Sequence, residues 1–372
     1  MNNFATAEPF LPGEYVKDEL DARGWTHDDL SEVIGMSRRQ VINLIQGKSR
    51  ITAETAQLLA AAFEGQTAQS WMNLQASYDL ALAARDERET SRRAKVFTKV
   101  PVRELKRRLW LPAVSDIDHL ETAVCRLLDI NSLDDEPSLS HAARKGSSYD
   151  FDTSAQIAWY CRARQLAERV SVKNYEESNI DEGLRDLVQL SADPQDLRKV
   201  PALLAEMGIR FVVIQHLQKT KVDGVAIWLD DRSPAIALSL RFDRIDNFWF
   251  TLLHELSHLK NRDTTVVDVD VAASQLDENL PASEKRANLD ASQWLITNEK
   301  IESFIRRSKP LYYEKRVIQF AQANGIHPGI VVGQLQNRNE LGFQQLRKLL
   351  VKVRSEIIGQ ALTDGWGNTH KE

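Results

Sequence analysis

A chain of 372 residues with 42% apolar and 27% charged side chains can bury two or three real cores, which excludes a disordered polymer. Its net charge of −5 excludes a surface that attracts nucleic acid as a whole, so any such contact must come from a local basic patch. Two isolated cysteines, Cys125 and Cys161, exclude a disulfide framework and fit a reducing compartment. The opening MNNFATAEPFLPGEY lacks the positive charge and apolar run of a secretory leader, and no apolar run approaches the ~20 residues of a membrane span. The expectation is a cytoplasmic protein with no membrane association.

From the N-terminus, residues 14–22, 26–34, 37–45, 52–63 and 68–85 have helical apolar spacing, punctuated by Gly24, Gly35, Gly47 and Gly65. The last helix is expected to run on through the charged RDERETSRRAK. Within this group, THDDLSEVIGMSRRQVINLIQGK has the layout of a helix-turn-helix: two short helices, with Gly35 at the turn. Leu30, Val33 and Ile34 are read as facing the core, as are Val41, Leu44 and Ile45. Ser37 is the expected N-cap, with Gln40 completing a capping box. That leaves Arg38, Arg39, Gln40 and Asn43 at the start and outer side of the second helix, with Lys48 just beyond it. These are residue types that bond phosphates and base edges. Between Met36 and Arg50 the only charged residues are basic: Arg38, Arg39, Lys48 and Arg50. The plainer reading is a small helical interaction domain with a solvated basic face.

The stretch from Phe10 to Arg85, with GMSRRQVINLIQGKSRITAETAQLLAAAF and SWMNLQASYDLALA, resembles the XRE-type helix-turn-helix of HigA-like antitoxins. The resemblance implies a homodimer that binds operator DNA and represses its own operon, as the antitoxin of a toxin–antitoxin module.

Beyond a charged connection, VRELKRRL, HLETAVCRLLDI and AQIAWYCRARQLAERV read as helices, interrupted by a loop at 134–148 of turn composition. GIRFVVI (208–214), GVAIWL (224–229) and AIALSL (235–240) carry strand signals. The 235–240 strand is a candidate edge on which an extended substrate would pair. The expected fold is mainly α with an α+β C-terminal domain. It comprises a five-helix helix-turn-helix domain (10–95), a helical middle region (97–200) and a domain with a small sheet (201–360).

After the strands comes FWFTLLHELSHLKN. On a helix His254 and His258 share a face and can aim at one point. Glu255 lies about 100° away, placed to reach a water at a bound metal. With 8 histidines in 372 residues, HExxH is expected by chance about 0.01 times per chain. The plainer reading is a buried helix with two satisfied histidines. A catalytic zinc site needs a third protein ligand, and PASEKRANLDASQWLI offers Glu284, although by itself the segment reads more simply as an exposed, charged helix face. Asn288, one turn on, is placed to bond a ligand imidazole.

RFDRIDNFWFTLLHELSHL, SEKRANLDASQWLI and GIHPGIVVGQLQ together resemble the ImmA/IrrE-type metallopeptidase domain. This resemblance implies a zincin-like fold and Zn2+ held by His254, His258 and Glu284. Glu255 would be the general base of an endopeptidase acting on a protein target, a toxin or a regulator. It also sets His327, at an expected helix start before Pro328, near the site as a candidate to hold the developing oxyanion, the equal alternative being a capping or surface histidine. In the family's second motif, E-x-E-A-N-x-F-A, Glu284, Ala287, Asn288 and Ala291 match. Arg286 replaces the second acid, and Asp290 stands in the aromatic place. The alternative function is an antitoxin whose inactive peptidase-like domain only binds a partner. The acidic stretch 266–279 lacks the spacing of a calcium loop and reads as a solvated loop beside the cleft. His27, His119, His141, His216 and His370 fall in scattered polar contexts.

Overall fold

A computed structural model describes residues 10–137, 153–263, 267–269 and 280–368. The chain divides into two units, residues 1–94 and 95–372. The N-terminal unit is helical: α1 (Pro12–Arg23), α2 (His27–Ile34), α3 (Arg38–Ile45), α4 (Ala53–Ala62) and α5 (Ala68–Lys99), whose last turns belong to the second unit. The charged RDERETSRRAK does continue α5. Val16, Leu20, Leu30, Ile34, Val41, Leu44, Leu59, Phe63 and Trp71 form the core. Val33, read as a core residue, is 53% exposed. Leu30 and Ile34, one turn apart, already fill the inward stripe of an eight-residue helix, and position 33 falls at its edge.

In the second unit the middle helices α6 (Val102–Arg107), α7 (Ile117–Leu128) and α8 (Ser154–Glu168) do not stand apart as a separate region. They bury Trp110, Val124, Trp159, Tyr160 and Leu166 with one face of a sheet. Trp159 donates its indole N–H to the Ile214 carbonyl at 3.2 Å. Most of the 134–148 loop lies outside the described residues.

Following α9 (Ile180–Leu190) and α10 (Val200–Glu206), the sheet is built from β1 (Arg210–Ile214), β2 (Val222–Trp228) and β3 (Pro234–Leu238). Two short strands, β4 (Val267–Val269) and β5 (Leu362–Asp364), complete the order β4-β2-β3-β1-β5. β1 is parallel to β3 and β5, whereas β2 is antiparallel to β3 and β4. β3 is therefore central, paired on both sides, and cannot offer an edge to a substrate. The edge beside β2 belongs to β4, inside the stretch read as a solvated loop; the rest of that stretch lies outside the described residues.

Side-chain alternation sorts the sheet. Val212, Ile214, Val225, Ile227, Ala235 and Ala237 join the α7–α8 side, while Phe211, Val213, Ala226, Ile236 and Leu238 join the other core. A register irregularity between Val222 and Gly224 restores this parity on β2. On the second face lies α11 (Ile245–Lys260), apolar nearly all round and almost wholly buried. α12 (Ala282–Leu295), α13 (Asn298–Ser308), α14 (Glu314–Ala323) and α15 (Pro328–Asn337) close that core.

Candidate functional site

In the N-terminal unit, α2 ends on Gly35 at φ 68°, the left-handed region where glycine avoids a Cβ clash. Ser31 Oγ donates to the Met36 carbonyl at 2.6 Å and closes the turn. Ser37 then caps α3: its Oγ accepts from Gln40 N, and Gln40 Oε1 accepts from Ser37 N at 2.9 Å. Gln40 is therefore tied to the cap by its oxygen. Arg38, Arg39 and Lys48 are exposed, and Asn43 is half-buried. Arg38 pairs with Asp28 at 2.8 Å, both side chains being mostly in water. Such a pair is worth about 0–1 kcal/mol and yields readily to a phosphate. Two short helices, a glycine turn and a capped second helix with basic residues on its open side define a DNA-binding helix-turn-helix unit.

In the second unit, His254 and His258 on α11 bring their Nε2 atoms to 3.0 Å from each other. Glu284, from the first turn of α12, reaches both: Oε2 lies 3.2 Å from His254 Nε2 and Oε1 3.4 Å from His258 Nε2. All three residues are buried, and they form the one group of three metal-capable side chains within reach of each other among the described residues. Burial works against the Glu284 charge, but the two imidazoles outweigh it and hold its carboxyl well below the usual carboxylate range.

His258 has a second partner. Asp263 Oδ2 lies 3.0 Å from its Nδ1, so that nitrogen donates to the carboxylate and Nε2 is the nitrogen turned toward Glu284 and His254. Two imidazole nitrogens and a carboxylate converging on one point suit a divalent cation. Asp263 is gripped in turn by Arg286. Burial pushes the Asp263 carboxyl up, but His258 and Arg286 prevail and hold it below its ordinary value.

Glu255 is fully buried beside β2. A Cβ on Gly224 would collide with its carboxylate, so glycine lets Glu255 lie against β2 and a larger residue there would push the carboxylate aside. One turn before His254, the Phe250 ring lies 6.1 Å from the imidazole and lines a cavity of about 380 Å³ with Phe242, Asn247, Leu295, Ile330 and Phe343.

Two other sequence candidates are placed differently. Asn288 bonds neither imidazole: its Oδ1 is buried without a hydrogen-bond partner, and Asp263 occupies the role expected of it. The reason is local, because Asp263 follows α11 directly and folds back on it. His327 is the N-cap of α15, its Nδ1 accepting from Gly329 N at 3.0 Å, and it is not part of the convergent group. Pro328 has no N–H, so the capping bond goes to the next amide. Burial lowers the His327 pKa. Sequence reading missed Asp263 and Gly224. It also read Arg286 and Asp290 only as departures from a motif, yet both reach α11: Arg286 through Asp263, and Asp290 by accepting from Ser257 Oγ at 2.6 Å.

A helix-turn-helix family profile matches residues 16–68. The chain is 35% identical over 77 residues to Virulence-associated protein I of Dichelobacter nodosus, covering 20% of this chain and 70% of that protein. Over 73 residues it is 42% identical to Antitoxin HigA-1 of Vibrio cholerae, covering 19% of this chain and 68% of the relative. An addiction module antidote protein of a HigA family from Coxiella burnetii matches with 30% identity and a TM-score of 0.22, over 23% of this chain and 91% of that one. The chain belongs, through its N-terminal unit, to the helix-turn-helix family. Among the described residues no helix is long and apolar enough to cross a membrane.

Proposed function

We propose that this protein is a cytoplasmic, homodimeric operator-binding repressor of the HigA-like antitoxin kind whose second unit is an ImmA/IrrE-type, zincin-like endopeptidase. The observation that carries the enzymatic half is the convergence of His254, His258 and Glu284 around one point. These three would hold Zn2+, which supplies Lewis acidity to a peptide carbonyl and to a water. Glu255, next in sequence to His254, takes a proton from the attacking water and returns it to the leaving amine. All four side chains are buried, and the neighbouring cavity, which Phe250 lines but none of the four does, has room for apolar side chains of a protein substrate. The target by this reading is a protein, either a toxin or another regulator.

The metal reading is tested by zinc content. Wild type is expected to retain about one zinc per chain, and His258→Ala, which removes one of three ligands, to lose it through gel filtration. A wild-type protein that takes up no zinc would leave a DNA-associated, partner-binding protein.

The DNA half rests on the exposed basic residues at α3 and on the family match. A gel shift on the promoter region of its own gene should be strong for wild type and weakened in Arg38→Ala/Arg39→Ala. Loss of two phosphate contacts should also flatten the log–log salt dependence by about two units. Equal binding and equal salt slope for the two proteins would remove these arginines from the interface.

A further inference from the structure

The end of α11 is built in a way that bears on His258. Arg262 N donates to the Leu259 carbonyl at 3.1 Å and Asp263 N to the His258 carbonyl at 3.0 Å. That is the bonding of a Schellman turn, with Arg262 in the left-handed position at φ 52°. Glycine is the usual occupant there, and any other residue must be held in place by its surroundings. Here the Arg262 guanidinium lies 4.6 Å from the Trp228 ring centroid and donates to the Asp231 carbonyl at 3.2 Å. The turn folds Asp263 back over the last turn of the helix, and its carboxylate meets His258 Nδ1.

An aspartate at such a turn can still rotate away into water. Arg286 prevents this: its guanidinium contacts both Asp263 oxygens, Oδ2 at 2.6 Å. Arg286 stands two residues after Glu284 on α12, so it projects from a different side of the helix while Glu284 meets the imidazoles. One helix thus supplies a carboxylate to the Nε2 side of His258 and, through Asp263, a restraint to its Nδ1 side. An acid at position 286, as in the motif the segment resembles, would face Asp263 with like charge. Arginine at 286 and aspartate at 263 belong together.

We propose that Arg286 is a positioning residue that acts on His258 through Asp263. Arg286 holds the carboxylate, the carboxylate holds the ring as the Nδ1–H tautomer, and Nε2 is left to face Glu284 and His254. For its consequence on zinc this rests on the reading of the triad as a metal site; for the ring itself it does not.

The test uses full-length protein with two readouts. In the metal-free protein, long-range 1H–15N correlation spectra, assigned against His258→Gln, should show the His258 ring as Nδ1–H. The Nε2–H form should appear in Arg286→Gln and dominate in Asp263→Ala. Zinc affinity, read by competition with a chromophoric chelator, should fall about 10–100-fold in Asp263→Ala. In Arg286→Gln the fall should be smaller, about 3–10-fold, with recovery in Arg286→Lys, which keeps the charge. Arg286 is partly exposed, so its replacement spares the core. A wild-type ring in the Nε2–H form would overturn the proposal, as would an Arg286→Gln protein with wild-type ring form and affinity. The stated ring changes without zinc uptake by any of the proteins would support the positioning role and overturn the metal reading of the triad.

Discussion

Replacing Glu255 by glutamine is expected to lower peptide hydrolysis by about 10²–10⁴-fold while zinc stays near one per chain. Glutamine has the shape of glutamate, so it fits the space that Gly224 leaves beneath the side chain. It cannot take a proton at neutral pH, and it is not one of the three converging donors. A fall in turnover with unchanged metal content would therefore isolate the proton-transfer role. Fluorescein-labelled casein, with metal measured on the same samples, provides the readout. Gly224→Ala is expected to act on the same carboxylate from the other side. The added methyl collides with it and also approaches Thr251, so hydrolysis should drop with zinc retained. If Glu255→Gln cleaves as fast as wild type, the base lies elsewhere, and Glu255 is then only a buried acid against a glycine strand.

How far these arrangements were readable beforehand depended on the range of the interaction involved. The pairing of His254 with His258 needs only the helical period, and the capping box of α3 needs only three-residue spacing. Both are local, and both are plain in the letters. Glu284 was reached by looking for a third ligand and then through a family pattern, since nothing local ties residue 284 to residue 254. Asp263 was hidden by conformation. It is brought to His258 by a turn whose left-handed residue is Arg262, and no glycine marks the place. β5 was hidden by length and distance: three residues near position 363 pair with β1 around position 213. The same applies to the middle helices. Their apolar faces were evident, but that these faces cover the sheet appears only when Trp159 meets the Ile214 carbonyl and Leu166 joins the core of Val212 and Val225. The interior place of β3 comes from its pairing with β2 on one side and β1 on the other, an order that no local signal in the three strands gives.

The largest loss of stability is expected from Arg162→Ala. Arg162 on α8 is 3% exposed and Asp364 on β5 is 1% exposed; the guanidinium meets Asp364 Oδ2 through Nε at 2.9 Å and Nη2 at 2.7 Å. Trp110 donates its indole N–H to the other carboxylate oxygen at 2.9 Å, and its ring lies under the Arg162 guanidinium at 5.6 Å. Removing the arginine leaves a buried carboxylate with one neutral hydrogen-bond donor, Trp110, and only the more distant Arg108 charge for compensation. Breaking a buried pair from one side costs about 3–5 kcal/mol, because the remaining charge stays desolvated. That is a large share of the roughly 5–15 kcal/mol by which a domain is stable. It should appear as a fall in melting temperature of roughly 6–20 °C and a lower urea midpoint. The pair also fastens β5, whose strand is only three residues long, to the helices on the far side of the sheet. Amide exchange at Thr363 and Asp364 should therefore accelerate more than at the centre of β1. The control is Arg162→Met with Asp364→Leu, which removes both charges and is expected to recover most of the loss. If Arg162→Ala and the double variant are equally destabilised, the cost lies in lost packing around Trp110 and not in the stranded carboxylate. If Arg162→Ala melts with wild type, the Asp364 charge is relieved by some other group, and β5 owes its place to the backbone ladder with β1.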